Sequence, residues 1–134
     1  MADYYSHSRT NYFHVTDEAA YQKLFAGLYT SDGEVKDFSK TVDGKVMHAF
    51  GANSEIRHDP YGEENEFCAF LEALQKLLPD GEAFILQEVG HEKLCYFVGY
   101  AYIVTNKEMK TIDIGDCIKV AREMGCENTT APEY

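Results

Sequence analysis

The chain has 134 residues, which is a common length for one domain, and a second independent core is not expected. Its 23 Asp and Glu residues outnumber 12 Lys and Arg residues, so the formal net charge is −11. That charge repels nucleic-acid phosphates and anionic membranes, so we expect no direct binding to either. Apolar residues make up 45% of the chain and recur in periodic blocks, which indicates a folded protein despite the charge.

The first half of the chain predicts one strand, one helix and a hairpin after an irregular N-terminus of about residues 1–7. Alternation predicts a strand over residues 9–15, and Thr16 is expected to cap a helix over residues 17–29. Asp43-Gly44 favours a tight turn between short strands at residues 35–38 and 46–50. Residues 51–65 lose periodicity and are interpreted as a loop with one short strand near residues 54–58.

The second half predicts two more helices and three strands. Apolar residues from Phe67 to Leu78 recur at helical spacing and Pro79 ends the pattern. Strands are expected at residues 82–89, 93–105 and 109–112, with a turn at Gly90-His91 between the first two. A last helix follows, with Gly125 at its stop position and irregular residues 126–134. This order predicts a single α+β domain with an antiparallel or mixed sheet of about five to seven strands and three packed helices.

Sequence motifs for common catalytic chemistry are missing. The chain contains no Gly-x-Ser-x-Gly, no phosphate-binding Gly-x-x-x-x-Gly-Lys-Ser/Thr and no Gly-x-Gly-x-x-Gly, so we predict no cofactor and no enzyme class. Cys68 lies near a helix N-terminus, but the acidic residues before it disfavour a thiolate, and we interpret it as a buried structural cysteine. The best local set of metal ligands matches no known spacing, so no metal site is predicted; it comprises His48, Glu55, His58 and Asp59.

A candidate pocket lies beside the predicted turn at Gly90-His91. Glu88 and Glu92 flank that turn and are expected to face each other across a hairpin, with Lys93 nearby. In the next strand, alternation places Tyr96, Tyr100 and Tyr102 on one face. A small ligand-binding or hydrolytic domain could use these groups, whereas solvated charges beside a turn are the simpler interpretation. The pocket hypothesis comprises Glu88, Glu92, Lys93, Tyr96 and Tyr100.

A candidate interaction surface lies in the acidic loop. Residues 55–66 carry five carboxylates opposed only by Arg57. Such a row could imitate a nucleic-acid strand and bind a basic host protein, or it could be a solvated loop leading into a helix that accepts acids at its start. The surface comprises Glu55, Asp59, Glu63, Glu64 and Glu66.

The compartment and assembly state follow from weaker signals. The N-terminus has neither the basic region nor the apolar run of a signal peptide, and the cysteines form no Cys-x-x-Cys, so we expect a reduced cytoplasmic protein. Homo-oligomerisation through an exposed sheet face remains a third possibility that is compatible with either site.

Three segments carry a family resemblance: residues 9–18 (RTNYFHVTDE), 88–94 (EVGHEKL) and 99–101 (GYA). Together they resemble a family of small acidic uncharacterised proteins carried on bacterial plasmids, conjugative transposons and phages. The resemblance implies a genetic setting in which accessory proteins counter host defences. It therefore favours an interaction protein, such as an inhibitor of a host nucleic-acid or defence enzyme, over a metabolic enzyme.

Overall fold

The computed structural model describes residues 4–30, 34–58, 67–92 and 96–130, without the side chains of Tyr4 and Tyr96. The elements in chain order are β1 (Tyr4–Thr10), α1 (Glu18–Ala26), β2 (Leu28–Tyr29), β3 (Lys36–Asp37), β4 (Lys40–Val42), β5 (Lys45–Met47), β6 (Phe50–Ala52), β7 (Arg57–His58), α2 (Phe67–Gln75), β8 (Phe84–Glu92), β9 (Tyr96–Val104), β10 (Met109–Asp113), a 3₁₀ turn (Ile114–Asp116) and α3 (Cys117–Glu123).

Six strands form one antiparallel sheet in the order β10-β9-β8-β1-β6-β3. Strands β2 and β7 form a separate antiparallel pair, and β4 and β5 form a third small sheet. The predicted α+β class, with three helices and an antiparallel sheet, is confirmed. None of the described helices is long and apolar enough to cross a bilayer.

Strand β1 corrects the expectation of an irregular N-terminus up to residue 7. It begins at Tyr4 and pairs along its whole length with β8. The strand escaped detection because its buried face carries Ser6, Ser8 and Thr10 in place of apolar residues. These hydroxyls find partners inside the protein: Ser8 donates to the carbonyl of Ser54 at 2.8 Å, and Thr10 accepts from the backbone N–H of Phe50 at 3.0 Å.

Strand β8 corrects the predicted turn at Gly90-His91. The strand continues to Glu92, because neighbouring strands pair with it on both sides through this region. Gly90 lies opposite Ser6 of β1 and opposite Val98 of β9. A glycine that looked like a turn signal is therefore an interior strand position, held by two ladders of backbone hydrogen bonds.

Helices α1 and α2 cover one face of the sheet, called the inner face below. Helix α1 is capped by Asp17, whose carboxylate accepts from the N–H of Ala20, and not by Thr16 as predicted. It ends at Ala26, three residues earlier than predicted, because Leu28 and Tyr29 pair with β7.

The core between the helices and the sheet is aromatic. Phe50 of β6 lies at its centre, with its ring 6.2 Å from Phe70 of α2 and 5.9 Å from Phe84 of β8. The chain between β1 and α1 adds Phe13, whose ring contacts Phe84 edge-on at 5.1 Å. The buried positions Phe70, Leu71 and Leu74 confirm the helical periodicity predicted for α2.

Two predicted glycine positions are confirmed, although the turn at Asp43-Gly44 joins Lys40–Val42 to Lys45–Met47 and not strands at residues 35–38 and 46–50. Asp43 and Gly44 both adopt positive φ, 52° and 78°, as a tight hairpin turn between β4 and β5 requires. Gly125, at φ 93°, follows α3 at the predicted stop position.

Candidate functional site

A cavity of about 260 Å³ lies between the inner face of the sheet and the beginning of α2. Strands β8 and β9 form its floor, α2 forms one wall, and the segment before β7 forms another. The lining residues are Glu55, Ile56, Phe67, Cys68, Leu86, Glu88, Tyr100 and Tyr102. The volume is slightly below the roughly 300–1,000 Å³ of typical ligand pockets, so the cavity suits a small molecule or one side chain.

Glu88 is the buried carboxylate of this cavity, with only 4% of its surface exposed. It occupies the inner face because β8 alternates, and the preceding inward positions are Phe84 and Leu86. Tyr100 lies directly opposite it on β9, and the Tyr100 hydroxyl donates a 2.7 Å hydrogen bond to Glu88 Oε1. The register of two neighbouring strands therefore builds a carboxylate–phenol pair into an otherwise apolar floor.

The environment of this pair keeps Tyr100 protonated. Burial raises the pKa of Tyr100 well above 10.0, and the hydrogen bond to Glu88 raises it further. The phenol therefore acts as a fixed hydrogen-bond donor over the whole physiological pH range, and one lone pair of the Glu88 carboxylate is committed to it.

Aromatic rings form much of the remaining wall. The ring of Phe67 lies 5.8 Å from that of Tyr102, and Tyr102 contacts Tyr100 edge-on at 5.4 Å between centroids. The pKa of Tyr102 is raised by burial and, to a smaller extent, by the nearby Cys68, Glu55 and Glu88. The cavity thus combines aromatic faces with acidic groups.

The charge of the cavity is negative. Glu55 and Glu88 contribute carboxylates, and the described lining residues include no Lys, Arg or His. Arg57 pairs with Glu55 at 3.5 Å, but both side chains are about half exposed, so solvent screens that pair. A buried carboxylate among aromatic rings favours a ligand that carries a positive charge and an apolar stem.

The structure assembles only part of the predicted pocket. Glu88 and Tyr100 are brought together, but Glu88 and Glu92 lie on one strand and do not face each other across a hairpin, so that prediction is wrong. Glu92 pairs with Tyr96 at the far end of β8. Lys93 and the side chain of Tyr96 lie outside the described residues.

Glu55, Ile56, Phe67 and Cys68 were not expected beside this pair, because they come from two segments far from β8 along the chain. Leu86 was also missed, although it lies on β8 two residues before Glu88. One signal was available. Glu88 occupies the same face of β8 as Phe84 and Leu86, and a carboxylate in an apolar alternation marks a buried charge.

Of the five residues in the predicted acidic interaction surface, the structure describes only Glu55. Glu55 is exposed and lines the cavity, whereas Asp59, Glu63, Glu64 and Glu66 lie outside the described residues. The hypothesis that this loop imitates a nucleic acid therefore stays a prediction.

The histidines considered as metal ligands have separate environments. The Nε2 of His48 lies 2.7 Å from a Glu18 carboxylate oxygen, and its ring packs 4.2 Å from Tyr21, so it joins α1 to the chain before β6. The other ring nitrogen of His48 faces Ser39 Oγ at 3.4 Å. His58 is buried beside Phe70 with ring centroids 5.3 Å apart. Within the described ranges, no three His, Cys, Asp or Glu residues form a potential metal cluster.

The cysteine prediction is wrong for Cys68. Its side chain is exposed at the edge of the cavity, although it was expected to be buried. The apolar side of α2 that faces the core consists of Phe70, Leu71 and Leu74, and Cys68 lies on a different side of that helix. Cys117 and Cys126 are exposed as well.

Comparisons with known proteins identify no relative. The chain matches no family model, and no curated protein or solved structure matches it.

Proposed function

We propose that this chain is a binding domain whose cavity receives a positively charged nitrogen, an alkylammonium or guanidinium group, attached to an apolar stem. The observation that carries the proposal is the buried Glu88 carboxylate, hydrogen-bonded to Tyr100 at 2.7 Å within the cavity. A carboxylate has about four acceptor sites, so Glu88 can accept from a cationic nitrogen while it also accepts from Tyr100.

The wall chemistry supports the same ligand class. The nitrogen of the ligand would contact Glu88, and its stem would lie against Phe67 and Leu86. Tyr102 would offer its ring face to the positive charge, an interaction worth about 0.5–2 kcal/mol depending on desolvation. An anionic ligand would instead meet two carboxylates without any lining base.

Two sources could supply this cation: a free small amine, or a Lys or Arg side chain of a basic partner protein. The second source agrees with the acidic net charge of −11, which attracts basic proteins over a distance. An inhibitory role toward a host enzyme, and an origin on a mobile genetic element, would be compatible with that source.

Alkylation of Cys68 provides a test, because this thiol lies at the edge of the cavity while Cys117 and Cys126 are exposed elsewhere. The alkylation rate of each cysteine by iodoacetamide is followed by mass spectrometry of peptides. The probes are n-butylamine, n-butylguanidine and neutral n-butanol, with N-acetyl-lysine methylamide representing a protein side chain.

We expect the cationic probes to slow alkylation of Cys68 in a saturable way and to leave Cys117 and Cys126 unchanged. Protection by the lysine derivative that is stronger than protection by butylamine would indicate a protein partner, and the reverse order a free amine. Equal protection by butanol, or no protection of Cys68 by any cation, would overturn the proposal.

A further inference from the structure

The outer face of the sheet, opposite α1 and α2, is the second unusual surface of the molecule. In β1 the outward side chains are Tyr5, His7 and Arg9, because the residues between them are buried. The strand registers place Tyr5 beside His91 and Phe97, and His7 beside Val89 and Gly99. A third row contains Arg9, Gln87, Ala101 and Ile112.

This face carries no carboxylate at the outward positions that the structure describes in the six strands. Strand alternation puts Glu88 and Glu92 of β8, Asp37 of β3 and Asp113 of β10 on the inner side. The outward charged residues are basic: Arg9, Lys36 and Lys110. The chain has 23 acids and only 12 bases, yet the described strands of this sheet place their acids on the inner side and their bases on the outer side. The outer face is therefore a surface without negative charge at these positions.

The same face exposes large apolar side chains in successive rows, and Ile114, which is 50% exposed, lies over Gly99, the residue opposite Val89. Val89 is 59% exposed, Phe97 50% and Ile112 58%, and they come from the three adjacent strands β8, β9 and β10. Single exposed apolar residues are normal on protein surfaces, but a contiguous patch on neighbouring strands is typical of an interface.

Helix α3 supplies a second uncovered apolar surface close by. A Cβ on Gly99 would lie 3.0 Å from a methyl carbon of Ile114, so the Ile114 side chain packs on the outer face over β9, and α3 begins three residues later. Cys117, Val120, Ala121 and Met124 recur at helical spacing, yet no residue of α3 is buried. Val120 is 50% exposed, and Met124, which follows the last residue of α3, is 76% exposed.

We propose that the outer face and α3 together form a homodimer interface, and that the occupant is a second copy of this chain. Each copy provides both an uncovered apolar sheet face and an uncovered apolar helix, so two copies can cover both. The sheet part of this surface lacks the carboxylates that give the chain its net charge of −11, and Asp116 and Glu123 at the two ends of α3 supply carboxylates for the outward bases of a second copy.

The available area approaches that of a standard interface. Four strands at about 4.8 Å spacing, with about 3.3 Å per residue along each strand, cover roughly 500 Å² in projection. Helix α3 extends this surface toward the roughly 800 Å² per partner of a standard interface. Interface cores are depleted in acidic residues and enriched in aromatic residues and arginine, and the outer face has the same composition.

Sedimentation equilibrium of the full chain tests this proposal. We expect the wild type to sediment with twice the monomer mass of 15.2 kDa, and Val89→Asp and Met124→Asp to sediment as monomers. The control is Val42→Asp, at a 42% exposed position of the separate β4–β5 hairpin, which should remain dimeric. Circular dichroism confirms that each variant is folded.

A monomeric wild type at every concentration, or dimeric Val89→Asp and Met124→Asp variants that are folded, would overturn the proposal. A mobility shift with single-stranded oligothymidylate is run in parallel. If the wild type is monomeric and Val89→Asp abolishes binding of this oligonucleotide, the surface binds nucleic acid and the dimer is excluded.

Discussion

Tyr100 and Glu88 face each other across the β8–β9 ladder, and the phenol donates a 2.7 Å hydrogen bond to the carboxylate inside a small cavity. The pair lies among Leu86, Phe67 and Tyr102, where an apolar pair would also fit. Buried polar pairs often contribute less to stability than apolar replacements of similar volume. We therefore expect the pair to matter more for the proposed binding than for folding.

The first prediction separates stability from binding at this pair. Replacing Glu88→Leu together with Tyr100→Phe should leave the free energy of unfolding within about 1 kcal/mol of wild type, or increase it. The same double variant should lose protection of Cys68 by butylamine. Chemical denaturation and the alkylation assay measure the two effects.

Tyr100→Phe alone is the informative control for that double variant. It leaves Glu88 buried without its phenol donor, so the free energy of unfolding should fall by about 1–3 kcal/mol. A double variant less stable than this single variant would show that the pair holds the fold together, contrary to our account.

The second prediction concerns alkaline pH. Burial raises the pKa of Tyr100 above the 10.0 of an exposed tyrosine, so above pH 10 the unfolded chain loses this proton while the folded chain keeps it. The raised pKa of Tyr100 therefore makes no difference to the pH dependence of stability below pH 10. Above pH 10 the free energy of unfolding declines as the pH rises. The decline from Tyr100 is at most about 1.4 kcal/mol per pH unit.

Urea denaturation between pH 9 and pH 11 measures this slope. Tyr100→Phe should make it shallower, and Tyr12→Phe, at an exposed position, controls for the loss of a hydroxyl. An unchanged slope in the Tyr100→Phe variant would contradict the protonated state assigned to the phenol.

The third prediction concerns His48, which we interpret as structural. Its ring is 2% exposed and packs against Phe13 and Tyr21, so His48→Ala should leave a cavity and lower the free energy of unfolding by about 2–4 kcal/mol. Glu18→Gln should cost about 1 kcal/mol or less, because the Glu18 side chain is 53% exposed. If thermal or chemical unfolding shows that His48→Ala lowers the free energy of unfolding only slightly, His48 does not have this structural role.

The fourth prediction contrasts two glycines. A Cβ at Gly51 would lie 2.7 Å from the backbone carbonyl oxygen of Ser8, so Gly51→Ala must push β6 away from β1. A Cβ at Gly44 meets nothing within 4 Å, and Gly44→Ala is strained only by its positive φ. We expect about 1 kcal/mol for Gly44→Ala and a clearly larger loss for Gly51→Ala. Equal losses in denaturation experiments would show that β6 can shift to accommodate the added methyl group.

The sequence predicts the elements with strong apolar periodicity and misses those with buried polar faces. The spacing from Phe70 to Leu74 identifies α2, and the alternation of β9 correctly puts Tyr100 and Tyr102 on one face. Strand β1 was largely missed because Ser6 and Ser8 form its buried face, which pattern analysis interprets as loop.

The candidate site could not be predicted without the register of the strands, which local sequence patterns do not determine. Gly90 looks like a turn until both neighbouring strands are known to pair through it. The pairing of β8 with β9 up to Glu92 changes the partner of Glu88 from Glu92 to Tyr100, and so converts an expected carboxylate pair into a carboxylate–phenol pair.

The most direct test is an affinity comparison by isothermal titration calorimetry, with n-butylamine and n-butanol as ligands. The proteins are the wild type, Glu88→Gln, and the control Glu108→Gln, which removes an exposed carboxylate that does not line the cavity. The account predicts that the wild type and Glu108→Gln prefer the amine, and that Glu88→Gln weakens amine binding about 10- to 100-fold with little effect on butanol. Equal amine affinity of the wild type and Glu88→Gln would contradict it.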